Sequence, residues 1–392
     1  MEQEANEDSS TVKTSEHVPC SIAYKLSSHL PGYDEQVACH FGPDCIEKFL
    51  DDLEDIHKRL EPVLNMNHPM EKIDDETRQR LAAAPNCSIC SRPLGKTKHL
   101  DHCHYTGKVL GFAHPLCNLE RQTPKYIPIF FHNLKGYDSH MIIKSLARRV
   151  DDPWSIRVIP KSMEAYTAIM TDKFRFLDSY AHLSSSLDQL VANLRSSGSS
   201  AFKPLHSFLR HQYGSLDPVK LSLLLRKGVY PYSYFTSFDT FKETSLPPKT
   251  AFFNDLTEEP CSDKDYAHVN NVWQAFNLQS LEDLCRLYVK SDVLLLDCVI
   301  QQYREECLSS FQLDPAHYYS APGFTWDAGL KHSKVTLELL KDESMYLFLE
   351  QAIRGGISTI THRFAKANNK YLKDYDPNKP ESFLAYIDAN NL

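Results

Sequence analysis

FFHNLKGYDSHMIIKSL, residues 130–146, decides how this chain is built. It starts inside an apolar run, IPIFFHNL (127–134), which reads as a buried strand. Gly136 turns the chain, and the spacing that follows predicts a helix near 139–148. Asn133 ends the strand and Asp138 opens the helix, so both polar side chains face one cleft.

The same reading extends outward from there. Downstream, FRFLDSY (174–180) reads as a strand and SLDQLVANL (186–194) as a helix, with a polar linker at 196–200. Residues 230–265 are rich in Tyr, Phe, Pro and Thr, an aromatic-packed irregular region. Residues 280–308 carry the longest helical pattern, helices follow near 324–332 and 334–353, and FLAYIDANNL (383–392) reads as a strand. Upstream, 1–19 is an acidic, polar, disordered tail; CSIAYKL (20–26) has strand character; Pro31-Gly32-Tyr33-Asp34 is a turn. Ile46, Phe49, Leu50, Leu53, Ile56 and Leu60 make 44–63 an amphipathic helix. Between Pro85 and Thr123 the sequence is short-spaced, turn-rich and rich in Cys and His. Strands alternating with helices give an α/β class. The expected division is a tail (1–19), a first domain portion (20–84), a Cys/His insert (85–122), the rest of the first domain (123–312) and a further region (313–392).

With 392 residues, 42% of them hydrophobic, the chain has material for two or three packed domains. Its longest apolar runs, Ile127–Phe131 and Val293–Ile300, fall well short of a bilayer span, and no apolar signal core opens the sequence. The expectation is a soluble intracellular protein, nuclear or cytoplasmic, with no membrane partner. Eleven cysteines in so long a chain are not a disulfide scaffold. Net charge is −8 but unevenly placed. Residues 1–86 hold 8 Lys/Arg against 18 Asp/Glu, whereas 87–150 hold 10 against 3. That basic block is a local footprint for a polyanion.

Inside the block, Cys87-x2-Cys90 and His114-x2-Cys117 are two close pairs on opposed turns, and four such ligands suit a structural zinc ion. Between them lies Asp101-His102-Cys103-His104, Thr106-Gly107-Lys108 forms a connecting hairpin, and Asn118 follows the last ligand. CSIC and LDHCHYTGKVLGFAHPLCN together resemble the recombination endonuclease VII branch of the ββα-metal (HNH) nucleases, over about residues 85–122. The resemblance implies Asp101 and Asn118 as Mg²⁺ ligands, His102 as general base and His104 on the phosphate. Arg92, Lys96, Lys98, Lys108 and Arg121 would supply phosphate contacts. Two outcomes stand side by side: a cutting module, and a zinc fold that binds DNA without cutting it.

The opening stretch, Asn133 followed by Tyr137-Asp138, resembles the second exonuclease motif of family B DNA polymerases. Tyr288-Val-Lys-Ser-Asp292 resembles the third, its i, i+4 spacing placing phenol and carboxylate on one helix face. The resemblance implies Mg²⁺ at Asp138 and Asp292, with Tyr288 and Asn133 orienting the reactants. Ser186-Leu187-Asp188-Gln189-Leu190 resembles the signature that contacts single-stranded DNA in protein-primed polymerases. The first motif, an Asp-x-Glu on a strand, is matched near the right place only by Asp52-Leu53-Glu54. That string falls in the 44–63 helix and reads as a solvated face, so negligible 3′–5′ exonuclease activity is expected.

Ile353-Arg354-Gly355-Gly356 resembles the glycine motif joining exonuclease and polymerase halves, where paired glycines let backbone approach a phosphate. Tyr386-Ile-Asp388 resembles polymerase motif A, with Asp388 a Mg²⁺ ligand on a palm strand. The order of these motifs resembles a protein-primed family B DNA polymerase of the Polinton/Maverick type, found in mobile elements and related viruses, over about 18–392. It implies an RNase H-like exonuclease fold carrying the zinc insert, then the start of a palm. Single-stranded and primer-template DNA and a terminal priming protein would be its partners. One palm aspartate does not bind two metals, so the chain as given is expected not to polymerise. An HNH endonuclease and a non-catalytic DNA-binding remnant are the alternatives.

Overall fold

The computed structural model describes residues 17–28, 30, 32–121, 124–162, 165–196, 198–255, 257–353, 362 and 364–385. The chain divides into two units, one up to Lys334 and one from Val335.

In the first unit, β1 (Ser21–Tyr24) and β2 (Ala38–Phe41) form an antiparallel hairpin. α1 (Cys45–Leu64) follows, its Ile46, Phe49, Leu50, Leu53 and Ile56 buried as the helical spacing requires. The Asp52-Leu53-Glu54 string is less solvated than its pattern suggests. Asp52 accepts the Tyr24 hydroxyl at 2.7 Å and contacts His40 Nε2 at 2.5 Å, and Lys173 pairs with Glu54. These bonds tie the helix to its neighbours.

α2 (Asp75–Ala82) is capped by Asp74. β3 (His99–His102) and β4 (Val109–Ala113) pair antiparallel, and α3 (Pro115–Glu120) follows.

β5 (Ile127–Phe131), α4 (Asp138–Ala147), β6 (Arg157–Ser162), β7 (Ala165–Met170) and β8 (Phe174–Asp178) come next. The four strands make one sheet in the order β5-β8-β7-β6, with β5 parallel to β8 and the remaining pairs antiparallel. β5 is therefore an edge strand of this sheet. Phe174, Phe176 and Ile169 from the sheet, Ile142 from α4 and the apolar stripe of α1 close one core.

The second core is helical. α5 (Leu187–Arg195), α6 (Lys203–Tyr213), α7 (Pro218–Leu224) and α8 (Asp263–Ala275) precede α9 (Leu281–Phe311), the longest helix. A reciprocal Ser280–Asp283 capping box starts α9, and Gln312 in left-handed conformation ends it. Leu287, Leu294, Leu295 and Cys298 of α9 pack against Leu205, Phe208 and Leu209 of α6 and Val191 of α5. Residues 230–252 are a chain of single-turn helices whose rings stack: Tyr230 on Phe235 (4.9 Å) and Phe235 on Phe241 (4.3 Å). α10 (Ala321–Ser333) ends the unit.

The second unit holds α11 (Glu343–Ala352) and a loop organised on Asn368, whose amide donates to the carbonyls of Asp376, Lys379 and Pro380. The helix expected over 334–353 is only its last part. Lys334 adopts φ 59°, which stops α10, and Asp342 caps Met345 to begin α11 anew. Of the strand expected at 383–392, residues 383–385 are irregular. Tyr386, Asp388 and the rest, like Arg354, Gly355 and Gly356, lie outside the described residues. Among the described residues no helix is long and apolar enough to cross a membrane.

Candidate functional site

Cys87, Cys90, His114 and Cys117 converge, their ligand atoms all within 4.8 Å of one another. The Cys87–Cys90 turn closes through the Ser91 N–H on the Cys87 carbonyl (2.9 Å), with Ser91 at φ 58°. His114 precedes α3, so its imidazole and the first-turn thiol of Cys117 meet. His114 Nδ1 lies 3.4 Å from Cys90 Sγ and 3.7 Å from Cys117 Sγ. Tetrahedral zinc with ordinary Zn–S and Zn–N bonds sets those edges at roughly 3.6 Å. The other ring nitrogen, Nε2, sits 3.0 Å from the Pro93 carbonyl, the outer contact that orients a metal-bound imidazole. Burial pushes the Cys90 thiol up, but the Arg92 amide and side chain and the neighbouring cysteines pull it down to about 6. Cys117 is pushed up to about 11 by burial and by Cys90 and Cys87. Thiols that oppose one another's ionisation in this way are reconciled by a dication, and the quartet can hold a metal such as zinc.

The Asp101–His104 run lies beside this quartet on β3 and its turn. Asp101 is buried and ion-paired with Arg121 at the end of α3. His102 Nε2 is 3.2 Å from the His68 carbonyl, and its ring lies 4.9 Å from that of His104. A β-bulge falls between Asp101 and His102. Asn118 sits half-buried on α3. Among the basic residues, Lys98 donates to the Ala82 carbonyl and covers the Phe112 ring, while the Lys108 side chain remains on the exposed hairpin.

The polymerase-like motifs lie elsewhere in the first unit, one on the connection from β5 to α4 and one on α9. Asn133 takes φ 67° at the end of β5. The chain then passes so close at Gly136 that a Cβ there would lie 2.6 Å from the Asn133 amide nitrogen. Asp138, first residue of α4, has its carboxyl raised to about 6 by burial and by the charge of Asp178. On α9, the Tyr288 ring stacks on Tyr230 (4.8 Å), and its hydroxyl meets that of Tyr232. One turn on, Asp292 is raised to about 6 by burial, against the opposing charge of Lys227 and hydrogen bonds from Tyr288 and the Gly228 backbone. Its Oδ1 is buried without a partner. A buried carboxylate oxygen with no donor fits a hard cation such as Mg²⁺. Burial lowers the imidazole of His132, the residue before Asn133, and the charge of Lys227 adds to that lowering.

Ser186 caps α5 through the Gln189 N–H, and Leu187 lies in the helical core at 7% exposure. Leu187 therefore packs inside the protein, because the first turn of α5 points it at Val191 and α9; the Ser186 hydroxyl is occupied by its cap.

Three residues to which the sequence reading gave no role of their own shape these two segments. Asp178, fully buried at the end of β8, accepts the N–H groups of Asn133 (2.9 Å), Lys135 (3.3 Å) and Tyr180 (3.0 Å). Asp188 accepts the Lys227 N–H at 3.3 Å and adds its charge near Asp292. Gly228 runs over the Tyr288 ring, where a Cβ would lie 2.7 Å from Cδ2. Asp178 carried the one available signal, a lone acid closing the apolar run FRFLD.

The family described as DNA polymerase type B, organellar and viral, matches residues 120–378. No curated protein and no solved structure matches the chain.

Proposed function

The chain belongs to the organellar and viral type B DNA polymerases, and from that premise we propose that it is the exonuclease-side part of a protein-primed replicative polymerase whose Asn133–Asp138 and Tyr288–Asp292 cleft holds the single-stranded 3′ end of DNA. As a member of that family it is a DNA-directed DNA polymerase, and DNA is its partner.

The observation that carries the reading is the partnerless, buried Oδ1 of Asp292, set one helical turn from a Tyr288 ring that is stacked and hydrogen-bonded in place. Asp138 and Asp292 would hold Mg²⁺, which supplies positive charge to a phosphodiester when bound. The chain's own residues do the rest. Tyr230 and Tyr232 fix the phenol of Tyr288, the left-handed turn at Asn133 presents its amide, and Lys227 adds positive charge between the two motifs. Among the described residues the Cys/His quartet is the one place where three or more ligating side chains gather. With Asp178 committed to three backbone N–H groups and Asp188 to the Lys227 N–H, the two motif carboxylates left are fewer than two-metal hydrolysis uses, so in this reading the cleft holds a 3′ end rather than cleaving it. The parallel β5–β8 pair with Asp178 at its end supports the RNase H-like assignment, and a terminal priming protein and a mobile-element or viral setting belong to the same reading.

The zinc module serves as a structural DNA-binding insert in this reading. Asp101 paired with Arg121 supports holding over cutting.

The test is binding and degradation of a 5′-labelled single strand of about 20 nucleotides, with and without Mg²⁺. Mg²⁺-dependent binding that weakens about tenfold in Asp138→Ala and Asp292→Ala, with negligible shortening of the strand, is expected. Unchanged affinity in both folded variants sinks the cleft assignment, and rapid Mg²⁺-dependent degradation abolished by Asp138→Ala sinks the holding role.

A further inference from the structure

An open pocket of about 430 Å³ lies on the outer face of α6, lined by Gln36, Lys203, His206, Ser207, Arg210 and His211. Its origin is the amphipathic pattern of the helix. Leu205, Phe208 and Leu209 are buried against α9, and positions 203, 206–207 and 210–211 fall on the opposite stripe. The helix sequence KPLHSFLRHQY has no acidic residue, and no carboxylate lines the pocket. In a chain of net charge −8, a cavity walled by Lys203, Arg210 and two histidines is a local reversal of sign.

The pocket also holds an unmet polar group. His206 Nε2 is buried with no hydrogen-bond partner, a costly state for a ring nitrogen. Burial, then the charge of Arg210, lowers this imidazole, which favours the neutral ring. Next to it, Ser207 Oγ receives the Gln36 amide at 3.2 Å, an acceptor role that leaves the hydroxyl its own proton to donate.

Lys203 and Arg210 are seven residues apart, roughly 10 Å along the helix axis. Phosphates follow one another at about 3.4 Å of axis along a strand of duplex. The stripe is thus long enough for two or three consecutive phosphates, where a lone phosphate ion meets one end only.

We propose that the outer face of α6 is a second DNA-binding site, taking the phosphodiester backbone of one strand across Lys203 and Arg210 with His206 and Ser207 between them. It is separate from the Asp138–Asp292 cleft. α6 meets α9 at Cys298, six residues or about 9 Å beyond Asp292, and the pocket opens on the far side of α6. Contacts of this kind ignore sequence and position a strand, so the site would hold DNA running past the cleft.

The experiment uses the full chain, a labelled 20-nucleotide oligo-dT and a 20-base-pair duplex, with anisotropy read from 50 to 200 mM salt. Lys203→Gln/Arg210→Gln should weaken binding about tenfold at low salt. It should also lower the log–log salt slope by about 1.4 on the single strand, for two lost phosphate contacts. Arg210→Lys, which keeps the charge, should stay within about threefold of the parent. Repeating the pair in an Asp292→Ala background reads this site whether or not the cleft binds DNA. Unchanged affinity and slope in a folded double variant overturn the proposal. So does an inorganic-phosphate-induced shift of the His206 resonance with DNA affinity untouched by the double substitution, which would make this a site for the free ion.

Discussion

Asp178 at the end of β8 accepts the backbone N–H of Asn133, two residues past the parallel strand β5, 2.9 Å away. That bond holds Asn133 in its left-handed turn, and the other carboxylate oxygen takes the Lys135 N–H. One fully buried side chain thereby sets the entry to α4 and the position of Asp138, and its charge in turn raises the Asp138 carboxyl.

Asp178→Asn keeps the size of this side chain and replaces one acceptor oxygen with a donor facing other donors. Three N–H groups depend on those oxygens. The expected cost is about 1–3 kcal/mol of stability, together with weaker binding of single-stranded DNA as the Asn133 turn loosens. Thermal melting and anisotropy on one preparation check both, and an unchanged melting temperature would show that the turn holds without Asp178.

Gly228→Ala tests the close approach of backbone to ring over α9. The added Cβ would sit 2.7 Å from Tyr288 Cδ2, so either the ring or the 228 backbone must move. Overpacking of this sort costs about 1–3 kcal/mol. Because the Gly228 backbone helps to hold down the Asp292 carboxyl, Mg²⁺-dependent DNA binding should fall further than stability does. Gly214→Ala, at a left-handed position with open space around it, gives the backbone-strain control.

The zinc quartet predicts one equivalent of zinc per chain by elemental analysis. Cys90→Ser or a strong chelator should release it and expose residues 85–121 to hydrogen exchange, since the short β3–β4 pair and six-residue α3 are too small to stand alone. The helical core around α9 should keep its protection. Purified chain with no stoichiometric zinc would remove the metal from the account.

Which of these features the sequence disclosed follows from how local their causes are. The Cys87, Cys90, His114 and Cys117 quartet lies on two short turns, and the apolar run before Gly136 is contiguous, so pattern alone picked out both the converging quartet and the strand. α9 announced itself through a long 3.6-residue period. The β6–β7 hairpin and helices α6 to α8 went unread; Arg157–Ser162 is mostly exposed and interrupted by Pro160, which blurs any alternation. Asp178 was hidden for a different reason. Its role exists only because β8 pairs in parallel with β5, more than 40 residues away, a register no local window contains. Leu187 shows the converse: a motif string was legible, but whether its side chains face solvent depended on a packing partner on α9.

Asp292 ties pH, metal and stability together. Its carboxyl lies near 3.8 when unperturbed and is raised to about 6 in the fold, with burial the leading cause. A raised carboxyl binds its proton more tightly in the native state. Its favourable contribution is therefore full below the unfolded value and is lost as pH rises through about 6. Asp292→Asn cannot ionise, so without metal it should match the parent near pH 4. It should become more stable by about 1–3 kcal/mol at pH 7.5, read as a melting temperature several degrees higher. Mg²⁺ should reverse the order at pH 7.5 by compensating the buried charge of the parent while leaving the variant unmoved. Asp138 titrates in the same range in both proteins and cancels from the comparison. If the parent melts no lower than the variant at pH 7.5 without Mg²⁺, the buried Oδ1 has found a donor of its own and is no longer available to a cation.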